Sequence, residues 1–137
     1  MEELPFTSPS ERIIGFTVPK AGQFFLCDHD EVWTVEIATD VVASETDHSP
    51  YDLAKQRPDF VGWGENKNEV RRAGATEIEY DFNPKSDFVL VRYRTGADSG
   101  EIKFPTFSGD WFAASLSEDG KHLVLAEPYG VAVFAVA

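Results

Sequence analysis

The C-terminal run Gly130 to Ala137 (GVAVFAVA) restricts the fold more than any other part of the chain. Every residue from Val131 onward is apolar. A β-strand with one solvent-exposed face alternates apolar and polar residues, whereas a strand covered on both faces is apolar throughout. We therefore expect a core strand with a layer of structure on each side.

This strand is the last of three that the segment Asp110 to Ala137 predicts. The first runs from Asp110 to Leu116, the second from Lys121 to Ala126 and the third from Val131 to Ala137. Each junction has turn chemistry: Asp-Gly in the first, and Pro followed by Gly in the second. These residues favour tight connections, so the segment is predicted to be an antiparallel meander.

The same segment resembles the strand–turn–strand hairpins of WD-like β-propeller blades. The residues that carry the likeness are Ser117, Asp119, Gly120, Leu123, Leu125, Val131 and Val133. The WD dipeptide itself is absent, and Phe134-Ala135 occupy its place. A propeller needs at least about four blades of roughly 40 residues. A chain of 137 residues cannot close one alone, so the resemblance implies only a local hairpin.

Earlier parts of the chain predict further antiparallel strands. Arg12 to Val18 is a candidate strand, and Gln23 to Cys27 with Glu31 to Ala38 is a candidate hairpin. Thr76 to Phe82 alternates strictly, with glutamates and an aspartate on one face and apolar side chains on the other. Pairing Phe82 with Asp87 places Ile78 opposite Val91, Tyr80 opposite Val89 and Glu77 opposite Arg92. Apolar residues then meet apolar residues and a charge pair forms.

Residues of about 49–74 predict a helical insertion. Ser49 and Pro50 have the chemistry of an N-cap and a first helical residue. A second helix is predicted from Asn66, with Glu69 three residues later, to Gly74. Between them, Asp59 to Gly64 predicts an aromatic loop or short strand.

The resulting fold prediction is a mainly β domain. We expect an antiparallel meander of about seven or eight strands, forming a sandwich or a partly open barrel, with the short helical insertion in the middle. Residues 1–11 contain two prolines and several polar residues, which predicts a flexible N-terminal arm. Residues 12–137 are then a single domain.

Composition excludes several classes of function. Twelve Lys and Arg residues against 24 Asp and Glu residues give a formal net charge of −12. Such a chain repels phosphate backbones, so nucleic acid is not an expected partner. The same charge would suit a basic protein partner or simply keep the protein soluble, and solubility is the favoured interpretation of the charge. The N-terminus lacks a signal-peptide pattern, and no apolar run is long enough to span a bilayer. These features predict a cytoplasmic protein without a membrane partner.

The chain contains few candidate catalytic or metal-binding residues. The lone cysteine, Cys27, lies in an apolar run, which predicts a buried thiol without an intrachain disulfide. The turn residues Asp28, His29 and Asp30, together with His48, have side chains that can bind a divalent metal. Neighbouring residues in a turn point in different directions, so a plain solvated turn is favoured, and no metal or other cofactor is expected. No nucleophile elbow, phosphate loop or zinc spacing is found.

The favoured function is therefore a non-enzymatic protein-binding module, similar in general terms to an immunity protein or an adaptor. Its candidate contact residues are Trp63 in the Gly-Trp-Gly loop, and the acidic strand residues Glu77, Glu79 and Asp81. Taken alone, Trp63 is expected to be a core residue, and the acidic residues are expected to form a solvated, salt-bridged face. One alternative is a small-ligand-binding β-barrel or an enzyme with a pocket lined by aromatic residues. Another is a structural subunit of a homo-oligomer, in which a second copy covers the last strand.

Overall fold

The structure, a computed structural model, describes residues 1–45, 47–64 and 68–136. The described residues form thirteen β-strands and one short helix, and every strand pair is antiparallel. The elements are β1 (Glu2–Glu3), β2 (Ile13–Thr17), β3 (Gln23–Asp28), β4 (Val32–Glu36), β5 (Val41–Glu45), α1 (Pro50–Gln56), β6 (Phe60–Gly62), β7 (Arg72–Ala73), β8 (Thr76–Glu79), β9 (Phe88–Thr95), β10 (Asp98–Pro105), β11 (Ala113–Leu116), β12 (His122–Glu127) and β13 (Gly130–Ala135). The prediction of a mainly β, antiparallel fold with a short helix is confirmed.

The C-terminal meander forms the central sheet, in the order β1-β13-β12-β11. Its side chains alternate between two separate hydrophobic clusters. Leu123, Leu125 and Phe134 belong to one cluster, whereas Val124 and Val133 belong to the other. All five side chains are buried, so both faces of this sheet are covered, as the uninterrupted apolar run predicted.

Two outer sheets provide that cover. The first, in the order β10-β9-β8-β7, packs residues such as Val89, Val91 and Phe104 against one face of the central sheet. The second, in the order β5-β4-β3-β2-β6, packs residues such as Phe16 and Leu26 against the other face. The described residues thus form a stack of three sheets and no closed barrel, so the sandwich prediction is the one that fits.

Helix α1 covers part of the outer face of the second sheet. Leu53 packs there with Ile14, Val32, Phe60 and Cys27 in a third cluster of buried residues. Burial raises the pKa of the Cys27 thiol to about 12, and the neighbouring Asp28 carboxylate adds to this effect. Cys27 is thus the free, buried thiol that the sequence predicted.

Residues 2–4 of the predicted flexible arm pair with the central sheet. Glu2 and Glu3 pair with Phe134 and Ala135 at the edge of the central sheet, and the Leu4 amide donates to the Val133 carbonyl at 2.8 Å. Strand β13 thereby gains a partner on its second edge. The prolines of residues 1–11 indicated a loose segment. The edge of β13 that faces away from β12 has free backbone amides and carbonyls, however, and these pair with β1.

The helical insertion is shorter than predicted. The first helix is confirmed, with the Ser49 side chain accepting a hydrogen bond from the Asp52 amide and Pro50 at the start. The second helix, from Asn66 to Gly74, is wrong in its described part, since Arg72–Ala73 form strand β7. Its predicted start at Asn66 and Lys67 lies outside the described residues.

The pairing of β8 with β9 is displaced by two residues from the prediction. Ile78 lies opposite Tyr93 rather than Val91, and Glu77 lies opposite Arg94 rather than Arg92. A displacement of two keeps every side chain on its predicted face, because side chains alternate with period two. The apolar pattern therefore could not discriminate between the two registers.

Strand β5 was not predicted, because only three of the residues between Thr39 and Ser49 are apolar and consecutive. Its five residues pair with β4 across their whole length and form one edge of the second sheet. The strand count of about seven or eight is exceeded for this reason and because several strands contain only two or three residues. No helix in the described part of the chain is long and apolar enough to cross a membrane.

A matched pair of substitutions tests whether the face of the central sheet that packs against the second outer sheet is buried from water. Val124 is fully buried, whereas Val41 in β5 is 50% exposed. We expect Val124→Thr to lower the free energy of unfolding by about 1–3 kcal/mol, because the change places a hydroxyl in the buried apolar layer between the central sheet and the second outer sheet. Val41→Thr should change it by less than about 0.5 kcal/mol. Urea unfolding followed by circular dichroism measures both, and equal effects would contradict the three-layer arrangement.

Candidate functional site

The most prominent surface feature on the α1 side of the molecule is a group of three aromatic rings, His29, Tyr51 and Trp63, which we call the aromatic patch. The Trp63 and Tyr51 rings meet edge to face, with centroids 6.4 Å apart and an angle of 78°. The Tyr51 hydroxyl lies 2.8 Å from His29 Nδ1. Tyr51 is 43% exposed and Trp63 45% exposed, although large aromatic side chains are usually buried.

Tyr51 is positioned by the N-terminal cap of α1. The Ser49 hydroxyl accepts the Asp52 amide at 3.2 Å, and Pro50 fixes the first helical turn. Leu53 is buried under the helix and anchors it to the second sheet. With Leu53 on the inner face, the side chain of Tyr51 lies on the solvent-exposed side of the helix.

His29 is positioned by the tight turn between β3 and β4. The Asp28 carboxylate accepts the amides of Asp30 and Glu31, each at 2.7 Å, and the Ser10 hydroxyl at 2.8 Å. Burial works to raise the pKa of Asp28, but these three hydrogen bonds outweigh it, so the pKa lies below its ordinary value. The ionised carboxylate thus fixes the turn that presents His29.

Trp63 is positioned by an unusually close approach between β6 and β2. A Cβ atom built on Gly62 would lie 2.3 Å from the Ile14 carbonyl oxygen. Only glycine leaves room for this contact, which allows the Trp63 amide to donate to the same oxygen at 3.0 Å. The backbone under Trp63 is therefore anchored to the sheet, and its indole is held at the surface.

The surroundings of the aromatic patch are negatively charged. Asp30 follows His29 and Asp52 follows Tyr51, and both carboxylates are exposed, as is that of Glu31. Arg12 lies 3.3 Å from Asp30, while in the described part of the chain neither Glu31 nor Asp52 has an ion-pair partner. Lys55, one helical turn after Tyr51, is the nearest other cation on α1. The patch thus combines exposed rings with a local excess of carboxylates.

The acidic strand residues lie on the opposite side of the molecule, at the outer face of the first sheet. Glu77 is flanked by Arg72 at 2.6 Å and Arg94 at 3.6 Å. Glu79 lies opposite Arg92, and Asp81 is an exposed residue just beyond the end of β8. Four cations and three carboxylates alternate across this surface, which we call the mixed-charge face; its members are Arg72, Glu77, Glu79, Arg92, Arg94, Glu101 and Lys103.

The mixed-charge face contains a groove of about 550 Å³. Two ion pairs join its lining residues, Arg92 with Glu101 and Arg94 with Glu77, so these two glutamates each contact an arginine. The predicted pair of Glu77 with Arg92 is replaced by pairs with Arg72 and Arg94, because the register of β8 on β9 differs. Such a surface is close to electrically balanced and offers little to a purely basic partner.

The metal-candidate residues do not converge. The Asp28 carboxylate accepts hydrogen bonds from backbone amides of its own turn, Asp30 contacts Arg12, and His29 contacts Tyr51. His48 lies against Phe25, with its Nδ1 3.9 Å from the Glu45 carboxylate. Among residues 1–45, 47–64 and 68–136 no group of three or more His, Cys, Asp or Glu side chains could hold a metal ion.

A second exposed aromatic pair, Phe107 and Tyr129, was missed by the sequence reading. Their rings meet at 84° with centroids 6.4 Å apart, and Phe107 is 77% exposed. The fully buried Glu127 carboxylate accepts the amides of Phe107, Ser108 and Tyr129, which holds the pair in place. No local pattern distinguishes this glutamate from an ordinary turn residue, since two of its three partners, the Phe107 and Ser108 amides, come from a distant loop.

The sequence indicates each member of the aromatic patch separately: Trp63 as an interaction candidate, His29 as a metal candidate and Tyr51 as part of a predicted helix. The core position favoured for Trp63 is wrong, since the residue is 45% exposed. Their assembly depends on the packing of α1 beside the turn between β3 and β4, which no spacing along the chain encodes. Comparisons with protein-family models, with curated proteins and with solved structures find no match for this chain.

The Asp28 turn predicts a dependence of stability on pH. Because the pKa of Asp28 is lowered on folding, its contribution is present above the ordinary value of 3.8 and is lost as the pH falls through and below it. We expect Asp28→Asn to lower the free energy of unfolding by roughly 1–3 kcal/mol at neutral pH and to flatten its acid limb. Urea unfolding over a pH series measures both effects. Asp30→Asn, at an exposed carboxylate, is the control, and an equal effect there would contradict this role.

The close approach at Gly62 gives a second prediction. We expect Gly62→Ala to destabilise the fold by about 1–3 kcal/mol, because the new methyl group must push β6 away from β2. Gly130→Ala is the matched control, since a Cβ atom at that position meets nothing within 4 Å. Thermal unfolding measures the stability of both variants, and the difference in intrinsic fluorescence between each variant and its Trp63→Phe counterpart reports on the indole of Trp63. A neutral Gly62→Ala would show that the approach does not constrain the patch.

Proposed function

We propose that this chain is a non-enzymatic protein-binding module that captures a basic partner through the aromatic patch. The observation that carries the proposal is the pair Tyr51 and Trp63, both more than two-fifths exposed and both anchored from below. Exposed tryptophan and tyrosine side chains are the residues most often found at the energetic centre of protein interfaces. Their anchoring reduces the entropy that a partner must remove on binding.

The chemistry of the patch favours an arginine or lysine side chain as its ligand. The face of a tryptophan or tyrosine ring attracts a cation, and arginine can also stack on it. Glu31 and Asp52 lie close by along the chain and are exposed, so they can accept hydrogen bonds from the same group. One cationic side chain of the partner would thus contact rings and carboxylates together.

The charge of the whole chain supports the same assignment. A net charge of −12 attracts a basic partner from a distance and accelerates the encounter. The mixed-charge face holds four of the twelve Lys and Arg residues, so the carboxylate excess is concentrated on the remaining surface. This distribution favours the α1 side over the strand Glu77 to Asp81 as the contact region.

The alternative functions find less support. Phe16, Phe60 and Phe112 are buried in the core, and the phenylalanines that line a groove, such as Phe24 and Phe25, do so at an open surface groove of about 300 Å³. The homo-oligomer hypothesis started from an uncovered face of the last strand, and the chain's own sheets cover that face. The cytoplasmic location and the lack of a nucleic-acid partner stay predictions from composition.

Short basic peptides provide a defined test. We expect oligo-arginine and oligo-lysine peptides of equal length to bind the chain at low salt, and fully acetylated oligo-lysine not to bind. Trp63→Ala and Tyr51→Ala should each weaken binding about three- to thirtyfold, equivalent to roughly 0.7–2 kcal/mol. Isothermal titration calorimetry measures the affinities, and circular dichroism verifies that the variants are folded.

The chain contains a matched control for this experiment. Phe107→Ala and Tyr129→Ala remove an exposed edge-to-face pair of the same kind at another place on the surface. They should leave the affinity unchanged, as should Glu79→Lys on the mixed-charge face, whereas Asp52→Lys should weaken binding. The proposal fails if the two aromatic pairs contribute equally or if acetylated oligo-lysine binds as well as the charged peptide.

A further inference from the structure

Strand β10 presents a long open edge of the first sheet. The edges of the central sheet are closed: β1 covers β13, and β11 donates its Ala114 and Leu116 amides to the Glu69 carboxylate and the Val70 carbonyl. Strands β6 and β7 are edges of only three and two residues. β10 has eight residues, pairs with β9 on one side and has no strand on the other among the described residues. Such an edge is a template for another strand.

The alternation of hydrogen-bonded and non-hydrogen-bonded pairs in the β9–β10 hairpin identifies which backbone groups of β10 point away from β9. Thr95 and Asp98 flank a two-residue turn, and such a flanking pair exchanges both of its hydrogen bonds. The Thr106 amide donates to the Asp87 carbonyl at 2.9 Å, which agrees with this phase. The even-numbered residues of β10 therefore bond to β9. The amides and carbonyls of Ser99, Glu101 and Lys103 point to the open edge.

We propose that this edge pairs with the same edge of a second copy of the chain. An antiparallel pair centred on Ile102 places Glu101 of each copy opposite Lys103 of the other. Both residues have outward-pointing backbone groups, so the same register also permits the ladder hydrogen bonds between them. Pro105, which lies opposite Ser99 in this register, can only accept a hydrogen bond, because it has no amide hydrogen. Registers shifted by two residues in either direction place Glu101 opposite Glu101 or Lys103 opposite Lys103, and like charges directly opposite are destabilising.

The charges around β10 allow this association in a chain that is otherwise strongly acidic. Two copies with a net charge of −12 each repel one another, except where the local charge is balanced. β10 forms the edge of the mixed-charge face, which has four cations and three carboxylates. Glu101 pairs with Arg92 through Oε2 at 3.4 Å, and its Oε1 has no ion-pair partner in the described chain. That oxygen can accept a hydrogen bond from the Lys103 ammonium group of the second copy.

The other open edge lacks this complementarity. β5 has one carboxylate, Glu45, and no cation, so two copies cannot exchange charges across it. A groove of about 490 Å³ also adjoins β10, and its lining includes the partly exposed Ile102 and Phe107. A second copy at the β10 edge would shield part of this apolar surface. The dimer uses none of the aromatic patch, so its test is independent of the proposed function.

Sedimentation equilibrium over a range of concentrations tests the dimer. We expect the wild-type mass to rise with concentration from 15.3 kDa towards twice that value. Glu101→Lys and Lys103→Glu should each weaken association about tenfold or more, because each creates two like-charge pairs. The double variant Glu101→Lys/Lys103→Glu should restore it. An equimolar mixture of the two single variants should form a heterodimer, since their charges are complementary.

Glu79→Lys is the matched control, because it makes the same charge change beside Arg92 but away from the edge. It should leave the dimer intact. Hydrogen exchange adds a second readout: the Glu101 and Lys103 amides should exchange more slowly as concentration rises, whereas the Ile102 amide should not change. A wild-type chain that stays monomeric throughout, a folded double variant that does not associate, or an equal loss in Glu79→Lys would overturn the proposal.

Discussion

Burial of both faces of the central sheet is the constraint on which the rest of the structure depends. Side chains of β12 and β13 alternate between two hydrophobic clusters, so neither face can be left in water without exposing a full row of apolar residues. The chain meets this requirement by folding one sheet onto each face. The second outer sheet has an apolar outer face of its own, and α1 covers part of it. Each layer is thus required by the one beneath it.

A sheet buried on both faces also needs its edges and turns satisfied, because buried backbone groups must find partners. Two nearly or fully buried carboxylates serve this purpose. Glu69 accepts the Ala114 amide at the β11 edge, and Glu127 accepts amides from the loop after β10 and from its own turn. The Arg71 guanidinium donates a hydrogen bond to the Glu69 carboxylate and lies over the Tyr80 ring. Buried acids that suggest chemistry in a sequence therefore act as structural acceptors here.

The uneven distribution of charge connects the fold to the proposed function. The register of the first sheet brings arginines next to the glutamates of β8, which neutralises the most regular acidic pattern in the sequence. On the α1 side Asp30 pairs with Arg12, but among the described residues Glu31 and Asp52 have no ion-pair partner, so carboxylates remain beside exposed rings. A basic partner and a second copy of the chain would therefore use different surfaces. The excess of carboxylates suits the aromatic patch to a basic partner, whereas the balanced charge at the β10 edge suits that edge to a second copy.

The sequence by itself determined the features that depend on neighbours along the chain. These were the two-sided last strand, the hairpins closed by Asp-Gly and Asp-His-Asp turns, the cap of α1 and the buried Cys27. Tertiary structure decided the rest. The displacement of β8 on β9 preserves every face, so no periodic pattern could report it, and the described part of the second predicted helix was overridden by strand pairing at Arg72. The exposure of Trp63 depends on the contact of Gly62 with β2, which lies about 50 residues earlier in the chain. Local chemistry specifies elements, whereas their mutual contacts are fixed only when distant segments compete for the same apolar surface and the same hydrogen-bonding groups.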